Sequence, residues 1–153
     1  MLLVKFKIGD NYYAINTDDV IEIIPAIPFR PIPGTPDFFA GIFDYHGQIV
    51  SVIDVSRLTI NTPSILRLST RIILLDFPFK NKKTILGLLA EDVTDVIDVE
   101  DSSFQNTGIS SEKAPFLTSV CKYEGKLVQL IQIEKLFSKE LQEKVFSLFD
   151  HAK

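Results

Sequence analysis

Gly41-Ile-Phe-Asp-Tyr-His-Gly-Gln-Ile-Val-Ser-Val-Ile-Asp-Val-Ser-Arg-Leu58 is the stretch whose reading decides the fold. It reads as a strand, a tight turn at Tyr45-His46-Gly47, and a second strand from Gln48 to Val55. Gly47 suits a turn position with positive φ, where any other residue suffers a Cβ clash. Ile49, Val50, Val52, Ile53 and Val55 form a β-branched run typical of a buried strand, and Asp54 to Leu58 reads as a short capped tail.

The same pattern returns near the C-terminus as Tyr123-Glu-Gly-Lys-Leu-Val-Gln-Leu-Ile-Gln-Ile-Glu-Lys-Leu136. Tyr45 matches Tyr123, Gly47 matches Gly125 and Leu58 matches Leu136, all at a separation of 78 residues. A second echo, at 73 residues, relates Asp19-Val20-Ile21-Glu22-Ile23-Ile24 to Asp92-Val93-Thr94-Asp95-Val96-Ile97. Turn and core positions agree together, which favours two similar halves over a coincidence of apolar composition.

Working outward, Leu3 to Ile8 and Tyr12 to Ile15 alternate as a hairpin around Gly9-Asp10-Asn11. Asn16 to Asp19 is dense in capping residues and predicts a single turn or short helix. Five of the eight prolines fall between Pro25 and Pro36, which excludes a central strand there. Ile27, Phe29 and Ile32 need cover, so this stretch predicts a loop strapped across the body. Asn61 to Leu68 reads as a mobile loop. Arg71 to Phe77 and Thr84 to Ala90 read as strands around a lysine-rich turn, with Gly87 marking a bulge or a close backbone approach. Ser102 to Lys113 reads as a polar loop. Beyond Ser138, Leu141, Val145, Leu148 and Phe149 recur with helical spacing. About ten short strands and one terminal helix suggest one or two small barrels.

Composition narrows the function. A formal charge of −4 argues against bulk nucleic-acid binding, and the lysines at 80, 82 and 83 read as a solvated turn. No apolar run approaches the roughly 20 residues that span a bilayer, and the N-terminus lacks a signal-peptide pattern. The one cysteine, Cys121, lies in an apolar stretch and reads as a packed hydrophobe in a chain suited to a reducing cytoplasm. Two histidines, His46 and His151, leave no triad and no dedicated metal site, and no phosphate-binding glycine loop is present. The expectation is a protein-recognition module without catalytic, cofactor or metal residues.

These residues resemble the CheW-like adaptor domain of bacterial chemosensory arrays over about positions 3 to 137. Phe6 to Ile15 looks like that family's opening hairpin, and Val20-Ile21-Glu22-Ile23 like its V-x-E-I. Pro33 to Gly41 is similar to its P-x-x-P-x-F-x-x-G, Gly41 to Leu58 to its N-L-R-G hairpin, and Gly87 to Val99 to its G-x-x-V-D-x-V-x-E-V. The resemblance implies a mainly β fold: two five-stranded SH3-like barrels over a shared core, with a short C-terminal helix. It implies one domain over 1–153, with intertwined halves of roughly 15–68 and 69–137, the N-terminal hairpin joining the latter, and a helical tail at 138–153. It further implies a cytoplasmic scaffold, recruited to receptor arrays without inserting in the membrane. Its partners would be the regulatory domain of a CheA-type histidine kinase and the cytoplasmic tip of methyl-accepting chemoreceptors. By resemblance, the contacts fall on Val20, Glu22, Ile23, Gly41, Asp44, Tyr45, His46 and Gly47.

Two positions depart from the family pattern. His46 replaces the usual arginine and Ser51 the usual proline. Histidine offers two titratable nitrogens where arginine offers a permanent fork of donors, so a Glu22–His46 pair would make binding pH-sensitive. The alternatives are a repurposed module that self-associates or regulates another motility partner, and a small-ligand-binding barrel.

Overall fold

The computed structural model describes residues 1–79, 83–106 and 117–136, with the side chains of 117 and 118 left aside. The described residues hold ten strands: β1 (Leu2–Ile8), β2 (Asn11–Asn16), β3 (Val20–Pro25), β4 (Phe39–Tyr45), β5 (Gln48–Asp54), β6 (Arg71–Asp76), β7 (Ile85–Asp98), β8 (Gln105–Asn106), β9 (Leu117–Tyr123) and β10 (Lys126–Ile131). One α-helix, α1 (Val55–Ile60), follows β5, and single 3-10 turns occupy Thr17–Asp19, Asp101–Ser103 and Ile133–Lys135. The helix expected after Ser138, most of the lysine turn and much of the Ser102–Lys113 loop lie outside the described residues.

The strands form two SH3-like barrels that share β7. In the first, the order is β3-β6-β7-β5-β4; in the second, β7-β1-β2-β10-β9-β8. β7 pairs with β6 over Ile85–Ala90 and with β1 from Glu91 to Asp98, so one strand serves both barrels where the sequence suggests two segments. The crossing is marked by Asp92, whose φ of 54° sits at a register shift against Lys5 and Lys7.

The registers show how the two halves are related. Glu22 pairs with Leu74 as Asp95 pairs with Lys5, and Val52 pairs with Gly87 as Leu130 pairs with Ala14. Gly41 opposite Val52 likewise corresponds to Ser119 opposite Leu130. The first half of the sequence runs β1 to β5, and the second runs from β6 through β7 to β9 and β10. Each half gives its first two strands to the other's barrel. The N-terminal hairpin therefore sits with the C-terminal strands, β2 pairing with β10. A division at 68/69 does not describe the barrels, because β6 and the start of β7 pair with β3 and β5.

This exchange gives three apolar layers. Phe43, Val50, Val52, Ile72, Leu74 and Leu89 fill the first barrel; Leu3, Ala14, Ile97, Val99, Cys121 and Val128 fill the second. Between them lies the shared core, with Val4, Phe6, Ile8 and Ile15 against Ile53, Ile73, Leu75 and Leu88. Central strands are thus apolar on both faces, which explains the unbroken runs in the sequence. Cys121 is packed as expected, and burial raises its thiol pKa. Gly87 marks a close approach rather than a bulge: a Cβ there would lie 3.1 Å from Ile72 Cγ2 and 3.3 Å from the Ser51 carbonyl.

The proline-rich stretch is a strap. Arg30 and Ile42 exchange backbone hydrogen bonds of 2.8 and 2.9 Å, Phe29 packs on the first barrel's core, and Ile32 and Phe38 pack on the shared one. The loop expected at Asn61 to Leu68 is hydrogen-bonded to the body at Ser64 and Ile65, while Leu66 and Leu68 are exposed. Asp54 accepts from Ser64, Glu91 Oε1 accepts from the Ile65 amide at 2.7 Å, and Thr70 Oγ1 donates to the Ile65 carbonyl at 2.5 Å.

Ser51 is fully buried on β5, and its hydroxyl has no partner among the described residues. A buried hydroxyl without a partner retains its desolvation cost. Ser51→Ala is therefore expected to raise stability by about 1 kcal/mol, seen as a higher urea midpoint at unchanged slope. A loss of stability would reveal a partner for Oγ.

A polar corner on the first barrel

The β4–β5 turn has two residues, His46 and Gly47, between the paired Tyr45 and Gln48. Their φ values, 51° and 85°, are those of a type I′ turn, which matches the twist of the strands it joins. Gly47 meets the expectation of positive φ, and His46 shares it at some strain, since a side chain disfavours that region. Asp44 Oδ1 braces the turn by accepting from the Gly47 amide at 2.7 Å.

Tyr45 is half-buried and leaves the turn across the barrel mouth. Its hydroxyl donates to Oε2 of Glu22 on β3. β3 and β4 are the two ends of the first barrel's strand order, so this hydrogen bond closes the seam between them. Phe43, below, meets the Tyr45 ring edge-on at 6.4 Å, and His46, outside, meets it edge-on at 4.5 Å. The bond to Glu22, which needs the phenol protonated, holds the Tyr45 pKa above its ordinary value; partial burial and the charge of Glu22 add to this. The expected Glu22–His46 pair gives way to this arrangement: the tyrosine engages the carboxylate, and the histidine packs on the tyrosine.

Of the residues singled out by sequence, the structure gathers Glu22, Asp44, Tyr45, His46 and Gly47 into one corner. Val20 and Ile23 are half-buried and pack on the shared core, while Gly41 is buried beneath the strap. Sequence reasoning missed the Tyr45–Glu22 bond, because nothing local relates residues 23 positions apart. It also read Ile21 and Ile49 only as strand residues, although they are 45% and 42% exposed. Each lies within an apolar stretch of its strand, so the local pattern does not set it apart from its neighbours.

Fold and corner together define a two-barrel β protein that carries an exposed polar turn on its first barrel. The chain belongs to the CheW-like family, whose CheW-like domain matches residues 2–141. It is 27% identical over 144 residues to the chemotaxis protein CheW of Rhizobium meliloti (strain 1021), covering 92% of this chain and 90% of that one. Against the chemotaxis protein CheW of Treponema pallidum (strain Nichols), identity is 29% over 148 residues, covering 92% and 85%. The fold matches the crystal structure of scaffolding protein TtCheW from Thermoanaerobacter tengcongensis with a TM-score of 0.78. That match has 24% identity and covers 90% of this chain and 87% of the other. Among the described residues, no helix is long and apolar enough to cross a membrane.

Proposed function

We propose that the chain is a cytoplasmic, non-catalytic scaffold that couples chemoreceptors to a CheA-type histidine kinase, with contacts at the β4–β5 corner and the adjoining β3. The observation that carries this reading is the corner itself: an exposed turn of fixed geometry, braced by Asp44 and anchored to β3 through Tyr45 and Glu22. Turn residues held by a rigid sheet suit recognition, since little ordering is left for the moment of binding. Membership of the CheW-like family supports it, as do relatives that are chemotaxis proteins. Val20, Ile23 and Gly41 serve this surface mainly from beneath.

The test is titration of the native chain with the regulatory domain of a CheA-type kinase and with a chemoreceptor tip, both from its own organism. Saturable binding to at least one is expected, and Tyr45→Ala should weaken it about tenfold or more, as loss of a central aromatic anchor does. His46→Arg alongside shows whether the departure from the family's arginine sets partner choice. A folded native chain that binds neither partner would overturn the reading.

A further inference from the structure

We propose that the matching seam of the second barrel, built by Lys5, Lys7, Tyr12, Tyr123 and Lys126, docks an acidic segment of a partner protein. The two barrels repeat the same corner with different chemistry. Tyr123 stands where Tyr45 stands, Asp95 where Glu22 stands, and Glu124-Gly125 form the same turn with φ values of 49° and 78°. In the first barrel, tyrosine and carboxylate bond directly. In the second, the Lys5 ammonium lies between them, 3.7 Å from Asp95 Oδ2 and 5.7 Å from the Tyr123 ring centre. The position equivalent to Lys5 is Leu74, an apolar residue of the first barrel's core. A lysine side chain only 17% exposed has thus replaced a core leucine at this seam.

Around it, three ammoniums converge on one ring. Lys5, Lys7 and Lys126 hold their Nζ atoms 4.9, 5.1 and 5.0 Å from the centre of Tyr12. Lys126 Nζ also donates to the Tyr12 hydroxyl at 3.2 Å, and this bond, with the nearby lysine charges, lowers the phenol's pKa. The positive charge is only loosely neutralised. Lys5–Asp95 and Lys7–Asp92 are ion pairs of 3.7 and 3.9 Å to carboxylates 59% and 43% exposed, where water screens most of the attraction. Among the described residues, Lys126 has no carboxylate partner. All these lysines stand on adjacent strands, β1 and β10 flanking β2, so their spacing is set by the sheet.

The shape selects the occupant. Lys5, Tyr12, Tyr123, Glu124, Lys126 and Val128 enclose a recess of about 130 Å³, well below the few hundred Å³ of small-molecule sites. It admits the end of one acidic side chain, and the Tyr12 and Tyr123 rings offer apolar faces to its methylenes. Asp92, Asp95 and Glu124 interrupt the lysines, and the chain carries a charge of −4, which disfavours a continuous polyanion such as nucleic acid. A short acidic peptide meets the lysines at this recess, where Glu124 alone of the three carboxylates is in the lining.

The test uses fluorescein-labelled hexaglutamate, read by polarisation against the full chain, with inorganic phosphate and a single-stranded oligonucleotide as competitors. Saturable binding that weakens with added salt is expected, reduced about tenfold by Lys5→Gln with Lys126→Gln and about threefold by the exposed change Lys126→Gln alone. Tyr45→Ala, on the other barrel, should leave it unchanged, so this site and the proposed coupling corner fail separately. Binding indifferent to the lysine changes would overturn the proposal. So would displacement by phosphate or oligonucleotide at concentrations no higher than the peptide's.

Discussion

Gly41→Ala should destabilise the fold by about 3 kcal/mol or more, whereas Gly47→Ala, six residues away in the same hairpin, should cost only about 1 kcal/mol. Both glycines have positive φ, 153° and 85°, so both substitutions carry backbone strain. What differs is the space. Nothing lies within 4 Å of a Cβ built on Gly47, but one built on Gly41 would lie 2.6 Å from the Arg30 carbonyl oxygen and 2.8 Å from its carbon. Those are backbone atoms of the strap, held by the paired Arg30 and Ile42 hydrogen bonds and stiffened by Pro28 and Pro31. The strap cannot yield without losing both bonds and lifting Phe29, whose Cδ2 is 3.1 Å away, from the first barrel's core. Urea unfolding of the two variants is the measurement. Equal losses would mean that the strap yields and does not fix the face beneath it. The result bears on function as well, since a binding defect in a Gly41 variant would then reflect a displaced strap and not a lost contact.

Much of this was legible in the sequence because it is local. The Tyr45-His46-Gly47 turn, the β-branched run of β5, the prolines of the strap and the two echoes follow from residues that are neighbours in the chain. The exchange of strand pairs between halves was not legible. β6 is apolar on both faces and β1 alternates, with Lys5 and Lys7 on one face, but neither pattern says which partner the strand takes; only the register shows it. The site divides in the same way. His46 and Gly47 were found from the turn and Asp44 from the family pattern, but Tyr45–Glu22 and the lysines around Tyr12 depend on strands that meet only after both barrels close. Where a residue is named for its place in a family pattern, as Gly41 was, the pattern carries the position without saying whether it touches a partner or supports the surface.

Asp54→Gln should cost about 2–3 kcal/mol and shorten α1 to a single turn, and the duplication itself supplies the reason. Asp54 and Gln132 occupy the same place after the second strand of each hairpin, with nearly the same backbone: φ and ψ of −82° and 107° for Asp54, −90° and 106° for Gln132. After Asp54 the chain forms a helix of six residues; after Gln132 the described residues, which end at Leu136, make a 3-10 turn of three. The aspartate side chain accounts for the contrast. Its Oδ1 accepts from the amides of Ser56 and Arg57 at 3.1 and 3.4 Å, capping the helix, whereas Gln132 makes no capping bond. The same carboxylate, only 7% exposed, accepts from the Ser64 amide at 2.9 Å and hydroxyl at 2.6 Å, tying the following loop to the helix start. Glutamine is one methylene longer and cannot repeat this geometry, so part of the buried donor set loses its acceptor. Hydrogen exchange should show faster loss at the Ser56, Arg57 and Ser64 amides, with the Ser51–Leu86 region of the β5–β7 ladder unchanged. Asp54→Asn retains a short acceptor and should lose about half as much stability. If Asp54→Gln left α1 and the Ser64 amide as protected as before, the contrast between the barrels would have to come from the helix's own residues, Val55 to Ile60, and not from its cap.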